Sequence, residues 1–162
     1  MAEKKSTGTP AIIAAQSAGV LFQLHNYVHD PHVRDFGQEA AEALGVSPSM
    51  VFKTLLAEVD KDSVCAVVPV DSKLNLKALA AIHGGKRALM MEPARAERLS
   101  GYVVGGISPI GQRTALPTYI DNSAAAFPAI FISAGKRGWE IELTCDALVQ
   151  LTGGCLAQLS GT

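Results

Sequence analysis

Two apolar runs, VFKTLLAEV (51–59) and SVCAVVPV (63–70), are separated only by Asp60-Lys61-Asp62, and this spacing constrains the fold more than any other feature of the chain. β-Branched and aromatic side chains favour extended backbone, and a polar turn this short leaves no room for a crossover. The two runs therefore read as an antiparallel hairpin. A chain organised around such a hairpin carries an antiparallel sheet and not a series of repeated βαβ units.

The flanking pattern extends this reading. Thr9-Pro10 caps a helix over AIIAAQSA that ends at Gly19, with proline at the position where a missing N–H costs nothing. LFQLHNYV (21–28) alternates as a strand, HDPHVRDFG (29–37) is a polar loop, and EAAEAL is a short helix closed by Gly45. Asn75 caps a helix LKALAAIH, KRALMM (86–91) reads as a strand, and Glu92-Pro93 opens the helix ARAERL. GYVVGGISPIGQ (101–112) has too much glycine for a regular element and is too apolar for a surface tether. PTYIDN, AIFISA and WEIELT read as strands, the last two joined by the turn GKRG, before a helix capped by Thr144 and a strand near CLAQL. The predicted class is α+β, with a mixed, largely antiparallel sheet and flanking helices.

Length and charge narrow the partners. At 162 residues and 48% hydrophobic, the chain suits one domain over residues 9–162 behind a polar, disordered tail at 1–8. A net charge of −1 excludes a protein that coats nucleic acid through bulk charge. The distribution is uneven, however: residues 1–71 carry −4, residues 72–137 carry +6 and residues 138–162 carry −3. Any phosphate contact must be local, from a basic middle that includes Arg113, Lys136 and Arg137. No apolar run reaches the roughly 18 residues of a membrane span, and MAEKKSTGTP lacks a signal-peptide core, so a cytoplasmic protein with reduced Cys65, Cys145 and Cys155 is expected.

Few residues have the spacing that chemistry requires. His25, His29 and His32, with Asp30 and Asp35, are candidate metal ligands, but their spacing matches no ligand motif and favours ordinary hydrogen-bonded histidines. Neither a metal nor a cofactor is expected. The stretch around Ser108 reads G-I-S-P-I-G, which is not a nucleophile elbow, and SAGKRG is not a phosphate-binding Walker loop. Adjacent glycines in GGISP permit close backbone approach to a ligand, although a turn serving only the fold has the same composition. Lys53 sits inside an apolar strand, so it either snorkels from an edge or faces a cavity that uses its charge, with Thr54 on the opposite face.

Together, VFKTLL, GYVVGGISPIG and SAGKRGWEIEL resemble the YbaK family of bacterial Cys-tRNA(Pro) deacylases, relatives of the editing domain inserted in bacterial prolyl-tRNA synthetases. HNYVHDP also resembles the family's early loop, and the likeness runs from Thr9-Pro10 to about residue 158. The resemblance implies a barrel-like mixed sheet and a proofreader that acts in trans on the acceptor end of mischarged tRNA. It implies that Lys53 is essential and is followed by Thr54, and that Tyr27 and Phe36 lie beside the pocket. It further implies that Gly105, Gly106, Ile107, Ser108 and Pro109 hold the aminoacyl end, with Gly106 and Ser108 close to the chemistry. Ser133 and Gly135 match a family turn in which Ala134 replaces a glycine, and Glu140 stands where relatives commonly have aspartate.

The nucleophile implied is the substrate's own cysteine thiol, which fits the lack of a Ser–His–Asp or metal set in the chain. Choice of tRNA would then depend on a partner, prolyl-tRNA synthetase being the candidate. A non-catalytic module of the same fold, binding an aminoacyl or nucleotide end beside a synthetase, is the alternative.

Overall fold

The computed structural model describes residues 8–161, so the expected tail at 1–8 lies outside the described residues except for Gly8. The predicted hairpin is its centre. β2 (Phe52–Val59) pairs with β3 (Asp62–Pro69) in antiparallel register, Lys53 opposite Val68 and Leu55 opposite Ala66. β3 is buried on both faces: Cys65 and Val67 join one hydrophobic cluster, while Val64, Ala66 and Val68 join another under α3 (Leu76–His83). That double burial explains why its sequence is apolar without alternation.

β5 (Ala88–Met90), β2, β3, β6 (Thr118–Asp121) and β9 (Cys155–Ala157) form a five-stranded sheet in that order. β1 (Gln23–Asn26), β8 (Trp139–Leu143) and β7 (Ile130–Lys136) form a second sheet, and β4 (Lys73–Leu74) pairs with β10 (Ser160–Gly161). Among the described residues five of the seven strand pairings are antiparallel, and β3–β6 and β6–β9 are parallel. A bridge from Val51 to Phe131 brings the two larger sheets together, so the arrangement is barrel-like without closing into a barrel. The fold is α+β, as expected. Its main core lies between the sheets, where Phe52, Leu56, Ile120, Ile130, Ile132 and Ile141 meet α1 (Pro10–Ala18) and α5 (Cys145–Thr152).

Several expected elements change at their ends, each for a local reason. The strand expected over 21–28 contracts to Gln23–Asn26, because β8 offers partners only from Trp139 to Glu142, leaving Leu21 and Val28 exposed. α2 (Phe36–Leu44) begins earlier than the EAAEAL helix: the Asp35 carboxylate accepts the Gln38 N–H and caps it. Gly37 in its first turn is sterically required, since a Cβ there would lie 2.3 Å from Val70 Cγ1. KRALMM is a strand only over Ala88–Met90, because the N–H groups of Lys86 and Arg87 bind the Asp60 carboxylate. α4 (Pro93–Ser100) follows as expected. At the start of the fold Thr9 Oγ1 accepts the Ile12 N–H and donates to the Ala134 carbonyl, fastening α1 to β7.

Candidate functional site

β5 accompanies β2 only along Ala57–Val59, so over Lys53–Leu55 the edge of β2 away from β3 has no strand beside it among the described residues. A cavity of about 610 Å³ runs along this open edge. Its other walls are α2 through Phe36, Gly37 and Ala40, the loop at Val104–Gly105–Ile107, Met90–Met91, and β7–β8 through Ser133 and Glu140. Since the cavity follows an edge, side chains from both faces of β2 reach it, and Lys53 and Thr54 line it together. Strict alternation puts them on opposite faces, and both statements hold. Lys53 is half-buried and takes part in none of the ion contacts among the described residues. Thr54 Oγ1 is buried with no hydrogen-bond partner among the described residues, an arrangement that costs about 1–3 kcal/mol until something binds it.

Glu140 faces the same space from β8, opposite Ser133 in register. Its side chain is only 7% exposed, and burial raises its carboxyl from 4.5 to about 8. Tyr27 lies behind this wall, packed with Val51 and Phe131, and its phenol is pushed above the usual range by burial and then by the charges of Glu140 and Glu39. Tyr27 does not line the cavity itself.

The glycine loop and the GKRG turn are matched surfaces. Gly105 has φ +90°, and a Cβ there would lie 2.9 Å from Phe36 Cδ1 and from Arg137 Nε. At Gly106 a Cβ would lie 3.0 Å from both Arg137 N and the Lys136 carbonyl carbon. These glycines thus let the loop sit against β7 and α2 while Gly105 and Ile107 face the cavity. The N–H groups of Gly105 and Ile107 donate to no acceptor among the described residues, whereas the Gly106 N–H bonds the Val103 carbonyl at 2.8 Å. Ser108 is fully buried away from the cavity; its Oγ accepts the Ile110 N–H and its carbonyl accepts from Gln112 Nε2. Pro109 is buried beside it. Gly135, at φ +101°, packs on Tyr102 and Thr9, and its N–H bonds Ser133 Oγ at 3.1 Å, which orients that side chain.

Of the residues singled out by sequence, the fold gathers Phe36, Lys53, Thr54, Gly105, Ile107, Ser133 and Glu140 around one cavity. Tyr27, Gly106, Ser108, Pro109 and Gly135 form the layer supporting it. Sequence reasoning missed Arg34 and the Met90–Met91 wall; nothing local distinguishes a loop arginine or an edge-strand methionine from a surface residue. The histidines disperse. His25 binds Glu142, His29 binds Glu39, His32 binds Asp30, and among the described residues no three His, Cys, Asp or Glu side chains converge as metal ligands. Among the described residues no histidine or cysteine lines the cavity.

The family model for the aminoacyl-tRNA editing domain matches residues 30–151. An Enterococcus faecalis protein, provisionally named a Cys-tRNA(Pro)/Cys-tRNA(Cys) deacylase (EbsC), is 40% identical over 124 residues, 76% of each chain. Proline–tRNA ligase of Nitratidesulfovibrio vulgaris is 29% identical over 116 residues, which is 70% of this chain but 20% of the ligase. Among solved structures, one provisionally described as a trans-editing enzyme for prolyl-tRNA synthetase superposes with TM-score 0.79 at 24% identity, covering 92% of this chain and 98% of that one. The hypothetical protein APE2540 superposes with TM-score 0.84 at 23% identity, covering 94% and 100%. These two establish a shared fold. No helix among the described residues is long and apolar enough to cross a membrane. Every residue lining the cavity, from Arg34 to Glu140, falls within the segment matched by the family model, and with the 40% identity to a full relative this makes the chain a member of the aminoacyl-tRNA editing domain family.

Proposed function

We propose that the protein deacylates mischarged Cys-tRNA(Pro), acting in trans on its acceptor end. The observation that carries this reading is a mostly apolar cavity lined by Lys53, which has no ion-pair partner among the described residues, and by the Gly105–Ile107 loop, with no hydrogen bond among the described residues joining a lining hydroxyl to a lining base. Such a site can bind and orient an ester but does not itself supply an attacking group. The ester of an aminoacyl-tRNA is already activated, so orientation together with stabilisation of the oxyanion is sufficient if the substrate brings the nucleophile.

In this reading Lys53 binds the ribose or the terminal phosphate region, and the Gly105 and Ile107 N–H groups receive the carbonyl oxygen. The cysteine Sγ forms a bond to its own carbonyl carbon, the bond from that carbon to the ribose oxygen breaks, and the thiol proton ends on the released ribose hydroxyl. The product is a thiolactone, which water opens to cysteine. Proline, alanine and serine lack the thiol and are spared. The buried thiols are poor alternatives, since burial pushes Cys65 up to about 12 and burial with the nearby Asp146 charge raises Cys145, and Cys155 is not among the residues that line the cavity. The mischarged tRNA is chosen with help from a synthetase, prolyl-tRNA synthetase being the candidate, and the activity belongs in the cytoplasm with the charged tRNA pool.

The test is release of amino acid from Cys-tRNA(Pro) and Ala-tRNA(Pro) by purified protein. Rapid release of cysteine, slow release of alanine, and loss of activity when the cysteine thiol is alkylated are expected. Rapid turnover of the alkylated substrate would mean that water or a protein side chain attacks. No release from either substrate would favour a non-catalytic binding module.

A further inference from the structure

A second cavity, of about 470 Å³, adjoins the first, and Arg34, Phe36 and Val104 line both. Its remaining lining is His29, Pro31 and Arg137. Both guanidiniums are fixed by backbone carbonyls and not by carboxylates. Arg137 gives Nε and Nη2 to the Val104 carbonyl at 2.9 and 2.6 Å and lies 5.0 Å from the centroid of the Phe36 ring. Arg34 gives Nη1 to the Pro31 carbonyl at 3.1 Å. A carbonyl partner orients a guanidinium without cancelling its charge, and neither arginine has a carboxylate ion-pair partner among the described residues. Arg137 Nη1 has no hydrogen-bond partner among the described residues, and a planar fork of this kind matches the geometry of phosphate oxygens. The nearest carboxylate on His29, that of Glu39, is taken up by the imidazole and by the Asp30 N–H at 2.7 and 2.8 Å.

We infer that this cavity is a subsite for the penultimate nucleotide of an RNA 3′ end, with Arg34 and Arg137 gripping the phosphodiester that joins it to the terminal nucleoside held beside Lys53. The inference rests on the editing reading for its orientation: the terminal nucleoside occupies the larger cavity, and the shared wall of Arg34, Phe36 and Val104 marks where the chain crosses from one to the other. A phosphate there meets two preoriented cations, and the nucleoside beyond it fills a space that a bare adenosine leaves empty.

The experiment is a titration of the full-length protein, followed by NMR, with three probes: adenosine, adenosine 5′-monophosphate and the dinucleotide CpA. Affinity should rise at the phosphate by about tenfold or more and again from the monophosphate to CpA, with only CpA shifting the His29 ring signals. Arg34→Gln and Arg137→Gln should each weaken the monophosphate and CpA by a larger factor than adenosine, so that the phosphate increment is lost. Equal weakening of adenosine and CpA would show that the arginines only support the loop, and CpA binding no tighter than adenosine, or no binding by any probe, would overturn the subsite. Arg34 does not touch the Val104 carbonyl, so its variant separates phosphate binding from loop support. Deacylation without a CpA increment refutes the subsite and leaves the editing reading standing; a CpA increment without deacylation does the reverse.

Discussion

Replacing Glu140 by glutamine tests the electrostatics of the cavity directly. The residue is 7% exposed and its carboxyl is pushed up to about 8 by burial, against an ordinary 4.5. The folded state therefore binds a proton between these values that the unfolded chain has released. The sign follows: the native state is favoured in full below about 4.5, loses stability as pH rises towards 8, and is penalised constantly above that. At about 1.36 kcal/mol for each tenfold change in the proton equilibrium, the rise from 4.5 to about 8 caps the penalty at roughly 5 kcal/mol. Relaxation and water entry reduce this, so a swing of about 2–4 kcal/mol is expected. Glutamine has nearly the same shape and no charge to bury. In urea unfolding across pH 5 to 9, taken as the difference between Glu140→Gln and the parent so that other titrations cancel, the variant should gain on the parent as pH rises. A difference that stays flat, or that favours the parent at high pH, would mean the carboxylate has a compensating partner and that burial does not govern it.

Lys53→Ala should abolish deacylation while unfolding within about 1 kcal/mol of the parent, because the ammonium has no ion-pair partner among the described residues to lose; a fully active, folded variant would remove this residue from the site. Lys53→Arg should also be poor, since a planar fork does not replace a compact point charge. Gly105→Ala forces a side chain into φ +90° and to 2.9 Å from Phe36, which should cost about 1–3 kcal/mol and reduce activity by more than the melting shift explains; unaltered stability and turnover would contradict the packing described. Substituting Cys65, Cys145 and Cys155 together by alanine should leave turnover of Cys-tRNA nearly intact, with a packing loss of about 1–3 kcal/mol at buried Cys65 and Cys145, and a chelator should leave the rate unchanged; a collapse in rate at unchanged stability would indicate a protein thiolate. Release at subsaturating substrate should fall steeply between low and moderate salt, and Lys136→Glu with Arg137→Glu should flatten that dependence; a flat profile in the parent would exclude a phosphate-binding basic face.

The hairpin, the five helices and the class of fold were legible in the linear sequence because each depends on neighbours within a few residues. Thr9-Pro10, Asn75 and Thr144 bond N–H groups three residues ahead, and Asp60-Lys61-Asp62 reverses the chain within its own length. Lys53 was conspicuous for the same reason, as a charge inside an apolar run. The shape of the site was not legible. Lys53 and Thr54 share a cavity only because β5, antiparallel to β2, stops at Met90 opposite Ala57, where Glu92-Pro93 turns the chain into α4, and the register that puts this stop beside the middle of β2 is a pairing between distant segments. Glu140 reads as an ordinary polar position in an alternating strand, and it is its burial on β8, the central strand between β1 and β7, that strips its water and moves its proton. Arg34 and Arg137 lie far apart in the chain in regions of opposite net charge, and only the tertiary fold brings both to the lining of one cavity. Local hydrogen bonds and side-chain period are properties of a segment, whereas a cavity is the space left where distant segments fail to meet, and its dielectric and charge exist only once the chain has folded.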